Sequence, residues 1–527
     1  MTTLPRRSKP TFFAIAVLGT ALALAGCTGG TTPGSATAPG SLKLAFLGGI
    51  KTPDPDTAYD GAELNLVDSA YEGLLTYKAG QAEPELTGVL ATKWTADPTN
   101  TVFTFELRAG VTFHDGTPFT SAAVAASFKR RTDLDAGPAY MVTDVKSVET
   151  PSDSQIKITL TGPNSAFLDL LASPFGPKMV SPAAIAAHPK SGDGETWFAT
   201  HDAGTGPYRY GTFTEGTSYQ LTAYDKYWGP KPGYSTVDFA VLSSLATIQL
   251  KLTSGELDGL VGYADSATFA ALKGKSDLKT YAFASMQTPT LFVNPKSPAL
   301  GAAATRLKFL AGIDFTGLAG KALGDIAKPT TEVFPVNLLD SPDRDQQKIT
   351  YDPAALASLA SGALAGKTIK IAYGNTGADA QSLSDNLAAV LNAAGIKTQS
   401  TGYALGNYFP ELAKGAAAPD LTFFSGFPDT AHPDAWASVF YTPKGGLDLF
   451  GAEVPGLSAL LGTARETDDQ ALYGQAAAKV SESGYWYSVA TSLGTAVFAS
   501  DVAGVDQSWN PVITGVLDLR LLHPGGA

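Results

Sequence analysis

Histidine, serine and glycine motifs are where covalent or metal chemistry would show in this sequence, and none of them assembles into a set. The five histidines, His114, His188, His201, His432 and His523, are spread so that no two fall within one helical turn. A helix-borne pair of imidazoles for a metal is therefore missing from the pattern. No GxSxG segment is present to hold a serine on a strand-to-helix turn. Ser276-Asp277-Leu278-Lys279 matches SxxK, but no KTG follows it. Gly366-Lys367-Thr368 resembles the end of a phosphate loop, yet Ser361 stands where the first glycine is required. Moreover, the strand pattern Ile369 to Tyr373 follows this segment, whereas a phosphate loop must follow a strand and open a helix, so the segment reads as a turn. The residues predict no enzyme, no cofactor and no metal centre.

The single cysteine is more informative. Arg6, Arg7 and Lys9 precede an uncharged run from Phe12 to Leu24, and Leu24-Ala25-Gly26-Cys27 closes it with small residues. This is the charged, apolar and small-residue order of an export signal, too short for a comfortable permanent span. Its end resembles a lipobox, which implies that residues 1–26 are a lipoprotein signal peptide and that Cys27 carries the lipid. Two or three acyl chains anchor stably where one does not. With its thiol acylated, Cys27 is available neither as a nucleophile nor for a disulfide, so stability must come from packing. The chain has 37 basic and 49 acidic residues, a net charge of −12. Removal of Arg6, Arg7 and Lys9 with the signal brings it to −15. So acidic a chain lacks the clustered cations that hold nucleic acid.

Residues 28–40, TGGTTPGSATAPG, carry no charge and no apolar period. Residues 27–40 read as a lipidated flexible tether, about 20 Å end to end by random-coil scaling. Folded structure is predicted to begin with a strand at Leu42 to Phe46. Further strands fit Val102 to Leu107, Ile156 to Leu160, Tyr219 to Ala223, Val237 to Leu242, Ile369 to Tyr373 and Leu421 to Phe424. Helical periods fit Glu63 to Leu74, Ala122 to Arg130, Thr247 to Leu252, Asp379 to Ala394 and Asp468 to Ser483. Strands and helices alternate throughout, which predicts an α/β protein with more than one sheet.

Between Ala70 and Arg130 several spaced elements occur together: Tyr71-Glu72-Gly73-Leu74, Leu90-Ala91 with Trp94, a strand ending Leu107-Arg108, and Phe113-His114-Asp115-Gly116-Thr117-Pro118-Phe119. Gly204-Thr205-Gly206-Pro207-Tyr208, Tyr227-Trp228-Gly229 and Ser254-Gly255-Glu256-Leu257-Asp258 continue the pattern. Together they resemble family 5 of the extracytoplasmic solute-binding proteins, the dipeptide, oligopeptide and nickel binders that serve ABC importers. His114, Asp115 and Arg108 are expected to hold the fold. Asn294 with Arg306 and Tyr351-Asp352-Pro353 are fainter echoes, and Leu307 to Leu310 depart from the family pattern.

The resemblance implies a bilobed, periplasmic-binding-protein-like clamp of three domains: a discontinuous domain I (41–78, 203–285 and 486–527), an inserted domain II (79–202) and domain III (286–485). It also implies a monomer on the outer face of the membrane that captures a small solute, foremost a short peptide, and passes it to ABC permease subunits. Oligosaccharides, opines and metal chelates remain alternative ligands, as does an envelope receptor without transport. In peptide-binding relatives an acidic residue in the loop matching Asp420 to Tyr441 accepts the peptide's α-ammonium, and Asp429 falls at that place. His432 replaces the first Asp of the run that follows. The alternative for Asp429 is a cap on the turn Pro428 to Thr430. Phe427, Trp436, Tyr441 and Trp486 are candidate aromatic walls, with core packing as their alternative. Arg306 and Arg344 are the candidate partners of a ligand carboxylate, with surface positions as theirs.

Overall fold

The computed structural model describes Gly40–Gly526 apart from residues 51, 341, 342, 345, 376 and 444, and these belong to one compact unit. The signal segment, Cys27 and the tether up to Pro39 lie outside the described residues. The architecture is α/β, built on three main sheets.

The first sheet has seven strands, in the order 278–283, 494–499, 259–260, 41–47, 236–242, 218–223, 208–214. Ser41–Leu47 runs parallel to Thr236–Leu242 on one side and to Gly259–Leu260 on the other. Leu42, Leu44 and Phe46 are buried against Tyr219, Leu221, Val237 and Phe239, with the Phe46 and Phe239 rings stacked at 4.7 Å. The second sheet, in the order 91–96, 102–107, 155–160, 145–152, is antiparallel. Phe103, Phe105 and Leu107 alternate inward along its second strand, as the period of two requires. The third sheet takes the order 397–403, 368–374, 421–426, 288–293, 486–488.

Among the described residues two connections join the first and third sheets. Leu278–Phe283 continues into Thr288–Val293, and Trp486–Ser488 returns to Gly494–Ala499. Trp486 thus belongs to the third sheet, and the chain rejoins the first only at Gly494, slightly later than the expected return at 486.

The GTGPY segment is locked onto YEGL. A Cβ on Gly204 would lie 2.1 Å from the Ala70 carbonyl oxygen, and one on Gly206 would lie 2.5 Å from that of Ser69, so only glycine allows the approach. Thr205 Oγ1 donates to Glu72 Oε2 at 2.7 Å, and Tyr208 then opens the first-sheet strand Tyr208–Thr214. His114 Nε2 meets the Gly206 carbonyl at 2.9 Å and its Nδ1 meets Asp202. Arg108 Nε donates to Val89 O at 2.7 Å beneath the Trp228 ring, and Asp115 binds Thr117 and Ser181. All three are structural.

Candidate ligand-binding site

Strand Leu421–Gly426 delivers its chain to a loop that ends at helix Pro433–Phe440. His432 caps that helix, its Nδ1 accepting the Asp434 N–H at 3.2 Å while Nε2 lies 3.2 Å from Ser165 Oγ. An imidazole accepting through Nδ1 carries its hydrogen on Nε2. The turn before it is served by Thr430, whose Oγ1 accepts the His432 N–H at 3.2 Å. Both jobs a turn-capping Asp429 would have done are therefore filled by other residues.

Asp429 instead bonds to residues far away in the sequence. Its Oδ2 accepts two phenolic hydrogens, from Tyr59 and from Tyr140, each at 2.5 Å. The loop is also held by Ser173 Oγ donating to the Asp429 carbonyl at 2.6 Å, and by the Ala431 N–H donating to Tyr77 Oη at 2.9 Å. Burial raises the Asp429 pKa above the usual carboxylate value, and the two phenol hydrogen bonds only partly oppose it. Burial, and then the Asp429 charge, push both tyrosines far above their ordinary value, so they stay protonated and donate. No lysine or arginine among the described residues bonds to Asp429, which is an unusual condition for a crowded carboxylate.

Two arginines position the phenols. Arg130, on helix Ser121–Leu134, grips Asp54 with both Nη atoms at 2.8 and 2.6 Å and reaches Asp56 Oδ2 at 2.5 Å. Arg131 donates from Nε to Asp56 Oδ1 at 2.8 Å, and from its two Nη atoms to the Phe175 and Pro55 carbonyls, each at 2.7 Å. This fixes the loop that ends in Tyr59 and sets the Phe175 ring edge-on to Tyr59 at 4.8 Å. Gly137, at φ +48°, opens the 3-10 turn Gly137–Val142 that carries Tyr140. A Cβ there would come within 2.7 Å of the Thr57 carbonyl, so glycine lets the turn seat against the Tyr59 loop. Tyr59 and Tyr140 remain 46% and 42% exposed, which leaves ring surface available to a solute.

Phe427 is half-buried beside Asp429 and packs against the core. Trp436 is fully buried and stacks on Phe440 at 3.9 Å. Tyr441 donates to the Val333 carbonyl at 2.8 Å, and Trp486 meets its ring edge-on at 5.3 Å. Trp436, Tyr441 and Trp486 are therefore the packed wall behind the loop. Arg306 is neither on the surface nor free for a carboxylate: it lies buried under Tyr485, donating to the Ser483, Leu300 and Gly301 carbonyls. Arg344 Nε donates to the Leu339 carbonyl at 2.6 Å. Tyr59 and Tyr140, the two residues bonded to the Asp429 carboxylate, were not singled out from the sequence.

A separate cavity of about 400 Å³ is lined by Asp68, Glu72, Tyr77, Lys178, Trp228 and Arg520. Its charges are matched internally. Lys178 pairs with Asp68 at 2.7 Å, Arg520 pairs with Asp518 at 2.7 Å, and Glu72 takes hydrogen bonds from Thr205, Tyr227 and Trp228. Asp429, with no such cation, is the better candidate for a ligand.

The family model described as bacterial extracellular solute-binding proteins, family 5 middle, matches residues 85–448. The chain is 26% identical over 280 residues to the "Probable D,D-dipeptide-binding periplasmic protein DdpA" of Escherichia coli K12, covering 53% of this chain and 54% of that protein. It thus spans about half the length of that curated relative. NikA from Brucella suis, solved with Fe(III)-EDTA, superposes with a TM-score of 0.81 at 22% identity, covering 92% of this chain and 99% of NikA. DppA from Helicobacter pylori, solved with the peptide STSA, gives 0.76 at 21% identity over 92% and 98%. These structures share the bilobed binding-protein fold. Spanning well over half of the sequence, the family match shows that this chain belongs to family 5 of the bacterial extracellular solute-binding proteins.

Proposed function

We propose that this protein is a lipid-anchored, extracytoplasmic solute-binding protein that captures a short peptide by its α-ammonium group and hands it to an ABC importer. The observation that carries the reading is the Asp429 carboxylate: crowded, raised in pKa, its Oδ2 filled by two neutral phenols, with no cation bonded to it among the described residues. A buried carboxylate of this kind is stabilised by a cation brought with the ligand, and the same charge repels anionic chelates. Phe427 and the exposed faces of Tyr59 and Tyr140 would cover the apolar part of the solute, with Trp436, Tyr441 and Trp486 as backing.

A domain division at 41–78, 203–285 and about 494–527 (I), 79–202 (II) and 286 to about 493 (III), with the last boundary moved to where the chain rejoins the first sheet, supports a clamp in which Asp429 comes from domain III and Tyr59 and Tyr140 from domains I and II. Ligand would then complete the contact between the lobes and favour the closed form. Cys27 supplies the anchor in this reading. The test is Asp429→Ala, which should lose about 2 to 5 kcal/mol of affinity for free peptides. An N-acetylated peptide should bind wild type about as poorly, and the two losses should not add. Full affinity of Asp429→Ala for free peptides would overturn the assignment.

A further inference from the structure

Segment 79–202 lies between strands of the first sheet, and the two connections into the third sheet also leave from the first. Contacts between this segment and residues 286–493 are therefore backed by no chain crossing, and on the clamp reading they part whenever the clamp opens. One cluster of them shares no bond with Asp429 and centres on Arg465, in the last turn of helix Leu457–Thr467. The Arg465 guanidinium donates from Nη2 to Asp144 Oδ2 and from Nε to Asn164 Oδ1, the latter at 3.4 Å. The Arg465 carbonyl is among those that a helix C-terminus leaves without an intrahelical partner. It accepts the Ser165 N–H at 3.3 Å and the Ser165 hydroxyl at 2.8 Å. One residue thus crosses the seam with its side chain and its main chain together.

Both sides of the contact are held in place by their own neighbours. Asn164 is fully buried, and its Nδ2 donates to Asp144 Oδ2 at 3.0 Å. Across the seam, Asp434 Oδ2 lies 3.5 Å from Arg465 Nε. The hydrogen on His432 Nε2 points to Ser165 Oγ at 3.2 Å and to Asp468 Oδ1 at 3.4 Å, while Ser165 gives its own hydrogen to the Arg465 carbonyl. The Arg465 and Asp144 side chains are 37% and 38% exposed, so dissolved salt reaches the pair and screens it. Here the charges across the seam are matched, whereas Asp429 waits for a cation.

Resting on the clamp reading, we propose that Arg465, with Asp144, Asn164 and Ser165, is a salt-sensitive latch that holds the inserted segment against the third-sheet lobe without help from the solute. Apparent affinity scales with the fraction of molecules in the binding form, so releasing the latch lowers affinity for every solute by the same factor. Holding power and choice of solute are thereby set by different residues.

The test is hydrogen exchange of the purified full chain without added solute, read by mass spectrometry at the Ser165 amide. Amides of strands Gln155–Leu160 and Leu421–Gly426 serve as references for the two folded lobes. Arg465→Met and Asp144→Ala should each speed Ser165 exchange about tenfold, with the references unchanged. The double variant should be no more than about twofold faster than the quicker single one. Raising NaCl from about 0.1 to about 1 M, which shortens the screening length from about 10 to about 3 Å, should speed the wild type and leave Arg465→Met unmoved. Ser165 exchange faster than the references but unchanged in both variants would overturn the proposal, as would multiplying effects in the double variant or a salt response that survives in Arg465→Met. References that accelerate together with Ser165 would make Arg465 a support of the fold and overturn it too. The clamp reading fails separately: if Ser165 exchanges as slowly as the references in every protein, the lobes part only on unfolding.

Discussion

Replacing Arg130 by methionine should be among the most costly single changes in this protein, and the reason lies in what it leaves behind. The Arg130 side chain is only 8% exposed and provides the cation for Asp54, whereas Asp56 also has Arg131. The substitution fills the space with an apolar chain but leaves the Asp54 carboxylate, 1% exposed, without a counter-ion. Stranding one member of a buried pair costs about 3–5 kcal/mol, and loss of the guanidinium from the Phe198 face, now 4.0 Å away, adds about 1–2 kcal/mol. Urea unfolding followed by tryptophan fluorescence at pH 7 would measure this. The signature is its pH dependence. Burial already holds the Asp54 pKa above its ordinary value despite Arg130, and without Arg130 that shift grows. A carboxyl whose folded pKa exceeds its unfolded pKa favours folding when protonated, so the variant should recover stability as pH falls and the gap to wild type should narrow toward pH 4. Adding Asp54→Asn to Arg130→Met should restore part of the loss at pH 7, because the stranded charge is gone. A loss below about 1 kcal/mol, or one that does not shrink on acidification, would refute the reasoning.

Asp429→Asn should raise the stability of the ligand-free protein, since it removes a crowded charge while keeping an oxygen for the phenols, and should abolish the ligand-induced rise in Tm; a Tm drop without ligand would refute this. Because ligand ammonium favours the ionised Asp429, peptide affinity should fall as pH drops through its raised pKa, measurable by titration from pH 8 to 4. Burial pushes the Asp448 carboxyl up to about 6, so the folded state prefers it protonated and stability is lost as pH rises through that value. Asp448→Asn should therefore stabilise by about 1 kcal/mol at pH 7, discounted for partial solvent access, and by nothing at pH 4, as read from denaturation midpoints. Cys27→Ser should release the protein from the membrane fraction and end its labelling by fatty acid; continued sedimentation with membranes would argue against the anchor.

Much of the fold was legible because half-buried elements carry their period in the sequence. Val102–Leu107 was read in full, and helix Ala378–Ala393 to within a residue, from alternation and from a 3.6-residue repeat. What escaped were strands buried on both faces. Thr288–Val293 is buried at all six positions and Gly494–Ala499 at five of six, so neither shows alternation, yet these strands carry the chain between two sheets. The site divided along similar lines. Asp429 was singled out as a candidate because its neighbours along the chain carry the family pattern, but the residues that bond to it come from 370 and 289 residues away. Tyr59 and Tyr140 sit in irregular turns with no period, and nothing local marks them as facing one carboxylate. The aromatics close to Asp429 in sequence, Trp436 and Tyr441, turned into the core instead, because a short helix after the loop buries one face against helices and strands behind it.

Ser41–Leu47 is the first folded strand and the middle one of its sheet, with neighbours on both flanks that occur much later in the chain. On the far side of Gly259–Leu260 lies Gly494–Ala499, close to the end of the sequence. The leading strand consequently has no partner until Thr236–Leu242 has been made, and the sheet cannot be completed until Gly494–Ala499, near the end of the chain, is available. Contacts so distant along the chain make for slow acquisition of the native state. Completion of this sheet therefore follows synthesis of nearly the whole polypeptide, which makes its part of the core a late commitment of the chain.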